Sequence, residues 1–531
     1  MKRTKALLLL FLLPLLICGC DRFSAAGGQQ ITDSSDAPPP VTLLFQFFGD
    51  KPTDLDLVIR EFEKRTSDSL RVKLETEWDA PEEYKQKIKL KLAAGESVDA
   101  VFDASWMNLN QNVAQGYYQV LDKYFNNDDY PGLKKAFPAD YLDANRINGH
   151  IYALPLTQLF HDIELVFIRK DLREKFGMQP IRSMTDLERY LERVRREEPS
   201  MIPLALKGER GFYRMFESQA KQTNYRASPT ALSGTGVAFQ VVLSDDGKHV
   251  LGAATYGDPA SEYADFPAPL NQPDYFTQVF DQNAAWNRFV QTDVLNERNA
   301  LLLLESGKAA ASEGTVNDWA STRQKLKTAV PDAELEGFVY IDCQRKREAG
   351  CIGTDYRAWN DLAIPVTSKH ADETMRFLDW LFQSQENHDL FELGIKGKHW
   401  TEGAGGAYYT TSESSDYAFP AFELTWNPYL SRIGADVQPE VQDLLAYEAD
   451  PASYYRLPLL GFQFDPAPVK TEIAKIQPLA NQTMQVLGSG LDLNWQESLA
   501  AMNKKLRGLG LERIREELIR QIQAYLDSGG T

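Results

Sequence analysis

The chain is predicted to fold as an α/β protein built on parallel sheet. Three observations carry this: short apolar runs alternate with helix-period stripes from residue 41 onward, helix-start signals stand between them, and the length exceeds that of one compact core. Val41 to Phe45 is an unbroken apolar run, as a buried strand requires. Thr53-Asp54-Leu55-Asp56 has the spacing of a capping box, and Leu55, Val58, Ile59 and Phe62 follow at helical intervals. Leu70 to Trp78 alternates as a second strand. Tyr84, Ile88 and Leu92 form one apolar stripe of a second helix, which Gly95 should end. Val98 to Phe102 is a third strand, completing the strand–helix alternation of a parallel sheet.

Further along, Ile151 to Pro155 and Leu165 to Ile168 read as strands, and Thr185 to Glu188 as a second capping box before a charged helix reaching Glu198. Asp245 to Lys248 has turn chemistry between Val241–Leu243 and His249–Leu251, which predicts a hairpin. Ala309 to Ser312 is a small-residue strand, and Met375, Leu378, Leu381 and Phe382 are a helix stripe. From Ser498 to Leu526 the chain reads as helical and highly charged, with no internal repeat anywhere.

The first twenty residues predict export. Lys2, Arg3 and Lys5 precede an apolar stretch from Ala6 to Ile17, too short for a membrane span. Gly19-Cys20 looks like a bacterial lipobox, so residues 1–19 are expected to be cleaved and Cys20 to carry lipid. Residues 20–40 hold little apolar content and end in three prolines, so they read as a flexible tether. The expected location is the extracytoplasmic face of the cell membrane, held by the lipid alone.

The formal net charge is −18 and becomes more negative when the basic leader is lost. No basic run is present, which argues against nucleic acid as a partner. Cys343 and Cys351, with seven residues between them, are expected to form a disulfide outside the cytosol, free thiols being the alternative. No P-loop, dinucleotide loop, His-Glu-x-x-His or G-x-S-x-G pattern occurs. Neither a cofactor nor a metal is expected, and enzymatic activity is not expected either. A glycosidase carboxylate pair could still stand among the 75 Asp and Glu residues.

Several segments together resemble one family. They are Ile151 to Leu156, Val166 to Leu172, Glu305 to Ala311 with Gly314, and Asn360 to Lys369 running into Met375 to Leu381. These are similar to the family 1 extracellular solute-binding proteins of ABC importers. Gly394 to Trp400 and Gly461 to Ile473 look like its large lipoprotein subgroup, common in Gram-positive bacteria, with an extra C-terminal segment. The resemblance implies a two-lobed, periplasmic-binding-protein-like (type II) α/β fold with an interlobe cleft and a helical C-terminal segment. It places lobe one at residues 41–165 and 353–400, lobe two at 166–352, and lobe-two completion with the helical segment at 401–531. Large relatives that bind acidic oligosaccharides carry a calcium loop, but no D-x-[DN]-x-[DN]-G run is present here.

The resemblance also implies capture of a carbohydrate, most simply an oligosaccharide, and its delivery by a monomer to ABC permease subunits. Two other functions are carried alongside: a surface glycoside hydrolase or lyase, and a signalling or adhesion lipoprotein on the same fold. A sugar site needs flat aromatic faces beside hydrogen-bonding side chains, in the loops that follow strands. On that basis the candidates are Phe48 and Asp50 after the first strand, and Ser105 and Trp106 after the third. Gln158 and His161 follow the Tyr152 strand. Trp319, the pair Trp359 and Asn360, and Trp400 complete the set. Trp106, in a short polar loop, is the first choice as a stacking platform.

Overall fold

The computed structural model describes residues 40–209, 211–212, 215–216, 234–435 and 437–530. The leader, the lipidation site at Cys20 and nearly all of the tether lie outside these residues. Among the described residues no helix is long and apolar enough to cross a membrane.

The folded chain opens with β1 (Val41–Phe48), α1 (Leu55–Thr66), β2 (Val72–Asp79), α2 (Pro81–Ala94), β3 (Ala100–Asp103) and β4 (Ala153–Leu156). A second group follows with β5 (Glu164–Arg169), α3 (Met184–Glu197), the hairpin β6 (Phe239–Leu243) and β7 (Val250–Thr255), α4 (Val279–Trp286), β8 (Ala311–Thr315) and β9 (Leu335–Phe338). The chain returns through β10 (Ile352–Thr354) to β11 (Asn360–Ala363), α5 (Ala371–Gln383), α6 (Gln385–Glu392), β12 (Trp400–Glu402) and β13 (Tyr408–Thr410). Last come α7 (Pro439–Ala449), β14 (Tyr454–Arg456), α8 (Lys470–Gly488), α9 (Trp495–Leu509) and α10 (Leu511–Asp527).

Two sheets organise this order. The first runs β2-β1-β3-β11-β4, with β1 parallel to β2 and β3 and with β11 antiparallel to both neighbours. The second runs β8-β5-β9, all antiparallel. Chain 157–163 leads from the first sheet to the second, and the stretch from β10 to β11 leads back. β10 also pairs in parallel with β14, so the C-terminal part is stitched to the return crossing.

The first core is filled by strand residues Leu43, Phe45 and Phe47, by the α1 stripe, and by Met375, Leu378, Leu381 and Phe382 of α5. The stripe of α2 buries Tyr84, Ile88 and Leu92 on the other face, and Gly95 ends that helix at φ +73°. The second core joins β5, α3 and the hairpin to the C-terminal helices through Leu506, Ile514, Leu518 and Ile522. The terminal helical stretch is two helices, not one, because Gly510 adopts φ +112° between α9 and α10.

Three expectations are corrected. Residues 401–435 were assigned with the second lobe, but Tyr417, Phe419, Leu424 and Leu430 pack into the first core. Asn427 Nδ2 also donates to the Ala136 carbonyl there (3.0 Å). The capping box at Thr53 does not form: α1 starts at Leu55, behind Asp54, whose side chain makes no cap. The second box does not form at Thr185 either: the helix is capped two residues earlier by Ser183, whose Oγ accepts from Asp186 N (3.1 Å) and donates to Asp186 Oδ2 (2.8 Å). Cys343 and Cys351 are bonded to each other.

Candidate functional site

The strand register gathers most of the sequence-predicted residues at one edge of the first sheet. Phe48 pairs Asp79, Asp103 pairs Asp361, and Leu156 pairs Asn360. The ends of β1, β3 and β4 and the start of β11 therefore meet at the same edge. The loops that leave it carry Asp50, Ser105, Trp106, Gln158 and Trp359. In open α/β sheets this is where ligands bind.

Trp106 is 48% exposed and Trp359 56% exposed. The Trp106 indole Nε1 donates to Asn360 Oδ1 (3.4 Å), its ring centroid lies 6.1 Å from that of Phe102, and Lys85 Nζ sits 5.6 Å from it. Asn360 itself is buried, with its side chain turned to Trp106. Ser105 is exposed beside it.

The loop that presents Trp106 is held by Asp103. Its Oδ1 accepts from the backbone N–H groups of Ala104 (2.8 Å) and Asn108 (3.1 Å). Its Oδ2 accepts from Asn112 Nδ2 (2.8 Å) and Tyr118 Oη (2.6 Å). Burial pushes the Asp103 carboxyl above its usual range, while these four donors pull it back down.

Phe48 is half-buried, with its ring among Tyr84, Phe102 and Phe422, and Asp50 beyond it is exposed. The Phe48 N–H donates to Glu423 Oε2 (3.0 Å). Glu423 is fully buried, and burial pushes its carboxyl up to about 9, so it is neutral at physiological pH. Gln158 and His161 are half-buried on the crossing segment, on either side of Phe160. The Phe160 ring packs edge-on against Tyr141, Tyr356, Tyr429 and Tyr454.

Two predicted residues do not belong to this edge. Trp319 is 5% exposed, packs edge-on against Phe167 at 5.5 Å and covers Gly337, where a Cβ would come 2.2 Å from the indole. Trp400 is 3% exposed, donates from Nε1 to the Gly394 carbonyl (3.0 Å) and is flanked by Lys396 and Arg432. Both rings are taken up in packing and leave no face for a ligand.

The sequence reading missed the matching residues on the second sheet. Where β5 begins and β8 ends, Glu164 pairs Thr315. A cavity of about 190 Å³ opens there, lined among others by Glu164, Lys207, Arg298, Glu313 and Tyr340. Tyr340 Oη donates to Glu164 Oε2 (2.8 Å), and Asp318 Oδ2 accepts from Thr315 N and Oγ1, both at 3.0 Å. Burial pushes up the carboxyls of Asp162 on the crossing segment and of Glu448 on α7, and the Asp162 charge raises Glu448 further. A buried Glu inside the apolar run Ile163 to Ile168 was the one available signal in the sequence. Among the described residues no group of three or more His, Cys, Asp or Glu could hold a metal ion.

Comparison with known proteins agrees with this architecture. A carbohydrate ABC transporter substrate-binding protein of Streptococcus pneumoniae is 26% identical over 507 residues, covering 94% of this chain and 93% of its own length. The fold matches a crystal structure of the N-glycan transport solute-binding protein of Streptococcus pneumoniae with a TM-score of 0.67 at 17% identity, over 92% of this chain and all of that one. It matches a human-milk-oligosaccharide-binding ABC-transporter-associated solute-binding protein of Bifidobacterium longum infantis with a TM-score of 0.62 at 18% identity, over 93% and 99%. A model of a domain of unknown function matches residues 458–527, the C-terminal helices. The model of bacterial extracellular solute-binding proteins matches residues 49–387, and the chain, two-lobed as these proteins are, belongs to that family.

Proposed function

We propose that this protein captures a carbohydrate, an oligosaccharide in the first place, between its two lobes and hands it unchanged to the permease of an ABC importer. One observation carries the reading. Two exposed indoles, Trp106 and Trp359, stand at one sheet edge beside Asn360 and Ser105. Large exposed rings at a polar loop cluster are unusual on a protein surface unless something covers them; sugar rings offer apolar C–H faces for the indoles and hydroxyls for the amide and serine. The name carried by the Streptococcus pneumoniae relative supports the same class.

Phe48, Asp50, Gln158 and His161 complete the first-lobe wall in this reading, and Glu164, Lys207 and Tyr340 face them from the second lobe. In this reading the lobes are residues 41–163 with 353–435, and 164–352 with the remainder. Closure needs only that the ligand bind the closed form more tightly than the open one. The protein performs no chemistry on its ligand and works from a lipidated Cys20.

The test is calorimetric titration with maltotriose, cellotriose, chitotriose and mannotriose. At least one should bind, and Trp106→Ala should weaken it by about 10- to 100-fold, the cost of about 1–3 kcal/mol for losing a large aromatic contact. Hydrolysis of the bound sugar, or binding unaffected by both Trp106→Ala and Trp359→Ala, overturns the assignment.

A further inference from the structure

We propose that the second lobe holds a separate pocket, between α4 and α8, which takes one neutral hydroxylated ring of the oligosaccharide beyond the Trp106 edge. This rests on the carbohydrate reading above. The pocket is a cavity of about 540 Å³, within the size range of small-molecule sites.

Its floor is aromatic and apolar. Phe212, Tyr256 and Phe280 line it, with the rings of Tyr256 and Phe280 edge to face at 5.5 Å, and Met484 of α8 forms one wall. One polar side chain is set into that floor. Asn283 is 3% exposed, and its Nδ2 donates to the Leu487 carbonyl (3.3 Å), which fixes the amide. Its Oδ1 is fully buried and has no hydrogen-bond partner. A desolvated acceptor left unmade is costly, so the fitting occupant brings a donor to it.

The mouth carries charge that is already paired. Glu209 binds Arg298 (3.0 Å) and Lys207 (3.3 Å), so neither sign is left to select an ionised ligand. An apolar occupant would leave the Asn283 oxygen unmatched, and a charged one would find no counter-ion on the floor among the described residues. A sugar ring has both the apolar face and the hydroxyl or amide N–H. Arg298 also lines the smaller cavity where β5 and β8 meet, so its side chain stands between this pocket and the second-lobe wall of the proposed cleft.

The experiment uses isotope-labelled methionine methyls, with Met484 assigned by Met484→Leu. Glucose and N-acetylglucosamine are the monosaccharide probes, and the four trisaccharides above are the longer ones. The Met484 methyl should shift saturably with a sugar. Asn481→Trp, at the exposed rim, should abolish that shift and weaken the best trisaccharide by about tenfold. Trp106→Ala should leave the monosaccharide shift in place. If no probe moves Met484 while Trp106-dependent binding is intact, the pocket is wrong and the carbohydrate reading stands. If the shift survives Asn481→Trp, it arises elsewhere and the pocket is equally refuted. If neither Met484 nor Trp106 responds to any sugar, the carbohydrate reading fails and takes the pocket with it.

Discussion

Asp54 and His399, 345 residues apart in sequence, are joined by a 3.1 Å hydrogen bond between His399 Nε2 and Asp54 Oδ2. The direction follows from the other ring nitrogen. His399 Nδ1 accepts from the Ile395 N–H (2.9 Å), so the proton sits on Nε2 and is donated to the carboxylate. The imidazole is buried and stacks on Tyr417 at 5.4 Å. Lys398 Nζ reaches the same carboxylate oxygen (3.1 Å). This bond ties the segment that carries Lys398 and His399 to the start of α1, and so fixes residues 395–417 against the first core.

The His399 and Lys398 bonds hold the Asp54 carboxyl below its usual range. A depressed carboxylate stabilises the fold above its unfolded pKa and loses that contribution as pH falls through the folded value. Asp54→Asn should therefore melt below the parent at pH 7, with the gap closing as pH falls below the ordinary aspartate value of 3.8. Thermal unfolding across that range checks it; a gap of constant size would rule out the ionic contribution.

Glu423 titrates with the opposite sign. Its carboxyl is raised to about 9, against an ordinary value of 4.5, so from the lower to the higher of these the unfolded chain is ionised and the folded one is not. Folding then takes up a proton, and stability falls as pH rises through that window. At pH 7 the cost is about 3 kcal/mol. Glu423→Gln keeps an acceptor for the Phe48 N–H and removes the cost. The variant should melt above the parent at pH 8, with the advantage shrinking towards pH 5. An advantage independent of pH would mean that Glu423 is ionised in the fold.

The first strand–helix alternation was legible because its signals are local: the stripes of α1 and α2 and the glycine at position 95 need only near neighbours. The cap expected at Thr53 fails because the neighbouring Asp54 side chain has a remote partner in His399. Residues 401–435 were misassigned because Tyr417, Phe419 and Leu424 follow no helix or strand period and bury themselves by long-range contact alone. At the site, strand ends could be found from sequence, which put Trp106 and Asn360 on the list together. Exposure could not: nothing local separates the half-exposed Trp106 from Trp319, whose place depends on the missing side chain of Gly337.

Asp103 is the residue through which the Trp106 loop is positioned, and its substitutions separate geometry from charge. Alanine removes all four acceptor contacts and leaves the N–H groups of Ala104 and Asn108 without a partner. Asp103→Ala should lower the melting temperature and weaken sugar binding to about the level of Trp106→Ala, since the ring is no longer held over the edge. Asparagine differs. Its Oδ1 can still accept from the two backbone N–H groups, and its amide can face Asn112, whose own Oδ1 is buried without a partner and becomes available when that amide turns over. The Tyr118 hydroxyl can rotate to accept as well. Asp103→Asn should therefore bind within a few-fold of the parent. Titration of both variants with the best trisaccharide decides this: equal losses in the two would mean that the carboxylate charge, and not the loop geometry, governs binding at this edge.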